Sequence, residues 1–258
     1  VALLVISARV PAAQPVEAVA QARHDLDLGF TVQARVAEVP VVEGQRVEAG
    51  QMLIILDDRD GAAQIELFEV RAKSTLEVDA AKAEWDLAEN EASRLKEAMG
   101  KAGAAPFEVE RAVLEATRSR LAYELFRQRR DETALQLKQA RLIHERYELK
   151  APVAGVVEQV TVEPGEMVEE VRPVLRLVVT DPLRIDAPVP VSDAAAVKVD
   201  QKVWVRFKAS GRVVEGKVVN IASVADPGSE TRGVRIDVPN KQAEPAGSHV
   251  IVSFEAVE

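Results

Sequence analysis

The feature that most constrains this chain is a long helical run from Asp57 to Lys150. It contains one proline, Pro106, and three glycines, Gly61, Gly100 and Gly103. Gly61 stands at its start; the other breakers cluster at its midpoint. Helix interiors tolerate proline and glycine least, so the break belongs at Gly100 to Pro106. Two helices of nearly equal length follow, Asp58 to Met99 and Pro106 to Tyr147. At 1.5 Å per residue each is roughly 60 Å long. Equal arms that turn back once return the chain to its point of departure, so the run is an insertion into another structure.

The 258 residues suffice for two or three modules. Charged residues make up 29% and aromatics 4%, a balance suited to solvated helices with small β modules. A formal charge of −9 argues against nucleic acid as the main partner. The absence of cysteine excludes a thiol nucleophile, a disulfide framework and a cysteine zinc site. The chain opens as VALLVISARVPAAQP. This reads either as the remnant of a signal peptide or membrane anchor, or as an ordinary first strand. No run approaches the roughly 20 apolar residues of a membrane-spanning helix.

β-branched residues mark strands at Val16 to Ala20, Phe30 to Val42 and Met52 to Leu56 before the helical run. After it, strands are expected at Val156 to Val162 and Val174 to Val179. The two flanks form an internal repeat at constant offset. Ala34 pairs with Gly155, Val36 with Val157, Val39 with Val160, Val41 with Val162, Gly44 with Gly165, Val47 with Val168 and Leu56 with Leu177. Neither half can bury its apolar face alone, so the two should close into one small β-sandwich. Further strands are expected at Leu183 to Val191, Val203 to Phe207, Val213 to Ile221, Val234 to Val238 and Val250 to Phe254. A short helix is expected at Ser192 to Val197, with Ser192 as its cap. Such short strands with one helix suggest a small β-barrel.

EGQRVEAGQMLIILD and LKAPVAGVVEQVTVEPGEMVEE resemble the two halves of a biotinyl/lipoyl carrier domain. A carrier joins its halves through a hairpin bearing the modified lysine; here Asp57, Asp58, Arg59 and Asp60 stand at the join, so no cofactor is expected. A lipoyl sandwich split by an α-hairpin resembles the periplasmic adaptor, or membrane fusion protein, family of tripartite efflux pumps and type I secretion systems. ADPGSETRGVRIDVPN, with Thr231, Arg232 and Asn240, is similar to the barrel of that family. The resemblance covers residues 30–258. It implies an elongated, multidomain chain of mixed α and β class. An N-terminal segment (1–29) precedes lipoyl half one (30–57), the helical hairpin (58–149), lipoyl half two (150–180) and a β-barrel (181–258). It further implies a non-enzymatic adaptor in the bacterial periplasm, anchored to the inner membrane through a missing N-terminal segment. Such subunits form a homo-oligomeric ring and link an inner-membrane transporter to an outer-membrane channel. A carrier domain with an unusual insertion and a structural coiled-coil scaffold are the competing readings.

Leu114, Leu121, Leu135, Leu142 and Leu149 recur every seven residues, with Gln128 in the empty slot. With Leu125 this reads as a coiled-coil seam, faced by Leu76, Ala83, Leu87, Leu95 and smaller alanines. A buried seam predicts that Leu121→Ala or Leu135→Ala costs roughly 2–5 kcal/mol. The arms differ in charge: eleven acidic against seven basic residues over 58–105, a net −4, and eight against ten over 106–150, a net +2. Arg127, Arg129 and Arg130 offer a phosphate patch, but Asp131 and Glu132 follow at once, which favours a solvated face. Asp57, Asp58 and Asp60 read as helix-terminal carboxylates ahead of metal ligands. His24, His144 and His249 match no zinc spacing, and no nucleophile–base constellation is present.

The tip is the one candidate site. The resemblance implies an arginine, a leucine and a serine that meet the outer-membrane channel. Arg94 matches the arginine, Ala98 or Met99 falls at the leucine, and Ala105 or Pro106 replaces the serine. Gly103 makes the turn, and Phe107 is an apolar residue there, either a contact in its own right or a staple between the helices.

Overall fold

The computed structural model describes residues 14–101 and 103–254. The strands are β1 (Val16–Gln21), β2 (His24–Gly29), β3 (Ala34–Glu38), β4 (Arg46–Val47) and β5 (Met52–Leu56). Helices α1 (Arg59–Lys73), α2 (Leu76–Gly100) and α3 (Pro106–His144) come next, with a 3₁₀ turn at Glu145–Tyr147. The chain continues through β6 (Glu148–Lys150), β7 (Gly155–Val160), β8 (Met167–Val168), β9 (Pro173–Val179) and β10 (Leu183–Pro190). It ends with α4 (Val191–Ala194), β11 (Lys202–Phe207), β12 (Val213–Asp226), β13 (Thr231–Val238) and β14 (His249–Ser253). The opening VALLVISA lies outside the described residues. By compactness the chain divides into a β unit, 1–55 with 149–258, and a helical unit, 56–148.

Two four-stranded sheets, β2-β9-β7-β4 and β6-β5-β3-β8, form the sandwich. The repeat offset of 121 residues, Ala34 to Gly155, converts one sheet into the other strand for strand. Each half lends its shortest strand to its counterpart. Ala34 lies opposite Val168 on β3 and β8, and Val47 opposite Gly155 on β4 and β7. The backbone bonds follow the same symmetry: Val36 N–H donates to Glu166 O at 2.8 Å, and Val157 N–H to Gln45 O at 2.9 Å. The buried layer repeats as well: Phe30, Val36, Val47, Leu53, Ile54 and Leu56 match Ala151, Val157, Val168, Val174, Leu175 and Leu177. Half a sandwich would leave both its short strand and its apolar layer without partners, so the halves are stable only together.

The repeat begins earlier than Phe30. Strand β2 pairs along β9 from His24 opposite Val179 to Gly29 opposite Pro173, and β6 occupies the equivalent place beside β5. The strand expected over Phe30 to Val42 is confined to Ala34–Glu38, since residues 30–33 make a bend. Leu149 belongs to β6, the counterpart of Leu28, and not to a helical seam. Asp25 on β2 holds Arg176 on β9 through two short bonds, 2.7 and 2.5 Å, and this lowers the Asp25 pKa below the ordinary carboxylate value.

The remaining strands close a barrel in the order β1-β10-β13-β12-β11-β14. Strand β1 completes it, pairing Val16 with Val252 and Ala20 with Ile185. Its core includes Leu183, Ile185, Val205, Phe207, Ile236 and Val252. Asn240 is fully buried and satisfies its whole side chain: Nδ2 donates to Thr180 O and Glu244 O, and Oδ1 accepts from Glu244 N–H. Arg232 donates twice to Ala222 O, where the register between β12 and β13 shifts. Both residues therefore fix loops and bulges. The short helix is α4, Val191–Ala194, and Ser192 lies within it rather than capping it; its hydroxyl bonds Asp193.

The quasi-symmetry exposes one strained position. Gly50 turns with φ +83°, and its counterpart Val171 is held at φ +64° while 84% exposed. A β-branched side chain in the left-handed region is an outlier, and here no packing of Val171 compensates. Val171→Gly is therefore expected to raise stability by about 0.5–1 kcal/mol, the relieved strain less the entropy glycine adds to the unfolded chain. Gly50→Val should lower it by about 1–2 kcal/mol. Urea denaturation of the two variants beside wild type checks both signs.

Candidate partner-binding surface of the helical hairpin

Helix α1 starts from Asp58, whose Oδ1 accepts from Gly61 N–H at 3.1 Å. Glycine leaves room for the capping carboxylate there, since a Cβ would press on Asp58 and displace it from the cap. The other oxygen of Asp58 lies 2.7 Å from His144 Nδ1 on α3, so one carboxylate ties the start of the hairpin to its end. Asp57 binds Arg59 through both oxygens at 2.9 Å. These aspartates act at the helix terminus, as the N-terminal dipole favours. Further along the two helices, Arg141 of α3 reaches Glu69 of α1 at 2.6 Å, and Lys73 holds its other oxygen. Arg141 and Lys73 together keep the Glu69 carboxyl below its ordinary pKa.

The first arm is not one helix. Ser74 is extended, at φ −71° and ψ 123°, and the chain restarts at Leu76. Seam positions on α1 fall at Gly61, Ile65, Phe68 and Ala72. Carried on unbroken, that spacing would place Asp79, Lys82 and Asp86 between the helices. The break shifts the phase by one residue. Val78, Ala81, Trp85, Ala88, Ala92 and Leu95 then face α3. Trp85 stacks on Tyr123 with ring centroids 5.5 Å apart, and Lys82 Nζ lies 5.1 Å from the Trp85 ring.

The seam on α3 has the expected period and a different phase. Val109, Ala116, Tyr123, Arg130, Leu137 and His144 face the first arm, with Ala112, Ser119, Phe126, Thr133 and Ala140 between them. At its centre Ala88, Ala92 and Ala116 form a buried cluster. The leucines lie five residues beyond the first seam position, at the point of the heptad furthest from α2. Leu114 is 70% exposed, Leu121 55%, Leu135 67% and Leu142 52%, so they do not form the seam. Of the residues expected to face them, Leu76 and Leu87 are also exposed, Ala83 too, and only Leu95 is partly covered. The physical reason is size: alanines let two helices approach closely, and leucines placed there would force them apart. The hairpin thus seals itself with an alanine cluster and the Trp85–Tyr123 stack and presents a leucine stripe to its surroundings.

At the tip the Ala98 carbonyl accepts from Lys101 N–H and Gly103 N–H, which closes α2. Helix α3 opens with Pro106 at its first position, and the Glu108 carboxylate accepts from Ala105 N–H at 3.2 Å. Met99 and Phe107 are exposed, Phe107 at 73%, so Phe107 does not staple the helices. Pro106 and Gly103 are exposed, Ala98 half-buried. Arg94 is exposed, and among the described residues it makes no side-chain hydrogen bond or ion pair. Among the described residues no group of acidic or histidine side chains is arranged to hold a metal ion, and no helix is long and apolar enough to cross a membrane. Sequence reasoning located the tip but missed the stripe as a surface. The signal was present: a seven-residue leucine period beside an independent alanine period.

Comparison with known proteins bears on this architecture. The family model for CzcB-like barrel-sandwich hybrid domains matches residues 29–179, and that for CusB-like β-barrel domains matches 183–254. The nodulation protein NolF of Rhizobium meliloti is 30% identical over 215 residues, 82% of this chain and 54% of its own length. The chain thus spans about half the length of that curated relative. MacA of Actinobacillus actinomycetemcomitans shares the fold at TM-score 0.73 and 15% identity, covering 96% of this chain and 80% of MacA. ZneB of Cupriavidus metallidurans does so at TM-score 0.52 and 19% identity, covering 94% and 70%.

The two apolar surfaces should respond differently to substitution. Leu121→Ala is expected to change stability by less than about 1 kcal/mol, because an exposed side chain leaves no cavity. Ala116→Leu should cost about 1–3 kcal/mol by wedging the helices apart. Thermal unfolding followed at 222 nm separates the two surfaces.

Proposed function

Because the chain belongs to the membrane fusion protein (periplasmic adaptor) family, we propose that it joins an inner-membrane transporter to an outer-membrane channel as one subunit of a periplasmic ring. Members of this family are non-enzymatic adaptors; the energy for export comes from the transporter. The observation that carries the reading is the exposed leucine stripe on α3. Fully burying one leucine side chain contributes about 1.5–3 kcal/mol, and covering four that are 52–70% exposed recovers part of that at each, which supports side-by-side packing of hairpins.

In this reading the tip meets the channel. Arg94 supplies a planar fork of donors free to reach backbone carbonyls or carboxylates on a partner. Ala98, Met99, Gly103, Pro106 and Phe107 form the surface around it, with Phe107 and Met99 as its apolar contacts. Attachment to the inner membrane belongs to the same reading, as the family resemblance implies. The exported compound is a small molecule, a metal ion or a secreted product that the transporter selects.

The test is export in a strain lacking the gene. The readout is resistance to whichever of a cationic dye, a macrolide and divalent zinc most sensitises that strain. Arg94→Asp is expected to keep the melting temperature within a few degrees and to abolish the restored resistance. Phe107→Ser should reduce it less, since it removes contact area without reversing a charge. Full resistance with Arg94→Asp overturns the docking role of the tip. A deletion strain no more sensitive than its parent to any of the three, and unchanged in the products it secretes, removes the adaptor role.

A further inference from the structure

We propose that Leu76 of one copy seats in the gap of the α3 leucine stripe of the next copy, at Gln128. This rests on the ring-forming reading above and adds which faces meet and in what register. Gln128 interrupts the stripe between Leu121 and Leu135. A notch of about 370 Å³ lies there, lined by Glu124, Arg127, Gln128, Asp131, Glu132 and Leu135. Gln128 Nε2 donates to Glu132 Oε1 at 2.9 Å, which holds the amide along its own helix and leaves the notch open.

The opposite side of the hairpin carries matching knobs. Leu76 is 78% exposed and Leu87 71% exposed on α2. Their heights follow from the stacked pair Trp85 and Tyr123, which are level. The helices are antiparallel with equal rise, so nine residues back from Trp85 and nine on from Tyr123 bring Leu76 level with Glu132. By the same count Leu87 is level with Leu121, one turn from the exposed Leu125. A closed ring relates its copies by rotation alone. With hairpins standing along the ring axis, residues at one height therefore meet. Leu76 of the neighbour then falls between Gln128 and Leu135, and Leu87 falls beside Leu121 and Leu125.

Summed over the whole arms, charge favours this pairing over a two-fold one, while the notch itself, with Glu124, Asp131 and Glu132 against Arg127, leaves the register to the apolar contact of Leu76. The first arm carries −4 and the second +2. Packing α3 on α3, or α2 on α2, sets like charges against each other, whereas α3 on a neighbouring α2 joins opposite signs. That contact is head-to-tail and so repeats around a ring.

Cysteine pairs test the register, and the chain has no cysteine to interfere. The full chain carrying Leu76→Cys with Gln128→Cys is produced in the export strain and treated in cells with a short bis-maleimide. Denaturing gels should show a ladder extending beyond dimer, and neither single variant should cross-link. Leu76→Cys with Leu114→Cys, whose sites differ in height by about 27 Å, should give no ladder. Dimer from Gln128→Cys alone would establish a two-fold contact and overturn the proposal. So would an equal ladder from the Leu114 pair, or none from the Gln128 pair. Resistance is measured on the same cells. A ladder where the unsubstituted gene restores no resistance leaves the register standing and removes the adaptor role; restored resistance without a ladder does the reverse.

Discussion

The exchange of short strands between the two halves of the sandwich is the constraint on which the β unit depends. Strand β4 bonds to β7, and β8 bonds to β3, with the same backbone partners once the repeat is applied. Because each half completes the other, residues 34–56 cannot settle until residues 155–179 arrive. The helical hairpin lies between them in sequence. Loop-closure entropy grows only logarithmically with length, so a long insertion adds little to that cost. A rigid insertion whose ends return together adds less still. The bond from Asp58 to His144 does this at the hairpin base, fixing the first residue of the excursion beside its last turn.

Within the hairpin, two apolar surfaces divide the work by size. The alanine cluster at Ala88, Ala92 and Ala116 buries little area per residue, so close approach and the Trp85–Tyr123 stack supply the attraction between the arms. Ion pairs such as Arg141–Glu69 are half exposed and add modestly to register. The bulky side chains are left outside, where a folded single copy gains nothing from them. Large apolar area that the monomer does not use is area available for association, and its strict period matches a helical partner rather than a flat one.

How much of this was legible in the sequence follows from which residues carry each signal. The split sandwich was readable because glycines and valines recur in register, as at Gly44 and Gly165 or Val36 and Val157. The N-terminal end of the repeat was not, because His24–Gly29 alternates leucine with aspartate and its counterpart is half 3₁₀ turn. The hairpin turn was marked by Gly100, Gly103 and Pro106, whereas the break at Ser74 and Thr75 uses residues that helices tolerate. The seam was given the right period and the wrong phase, because leucine outweighs alanine on any hydrophobicity count. Of the tip residues, Arg94 is exposed six residues before the end of α2 and Phe107 is exposed in the first turn of α3.

The break and the stripe are linked by one requirement. A single unbroken first arm would hold its phase from Gly61 onward, driving Asp79 and Lys82 into the seam and turning Leu76 and Leu87 by about one residue's rotation, roughly 100°. Resetting the phase at Ser74 does two things at once. It gives the interior Val78, Ala81 and Trp85, and it aims Leu76 and Leu87 away from α3. The seam alone explains why Asp79 and Lys82 face out. It does not explain why leucine occupies the outward positions, where propensity favours alanine, glutamate or lysine as well as leucine. Propensity makes leucine acceptable there, and its recurrence on both sides of the hairpin at the cost of exposed apolar area is the pattern expected if both sides are covered in the working state.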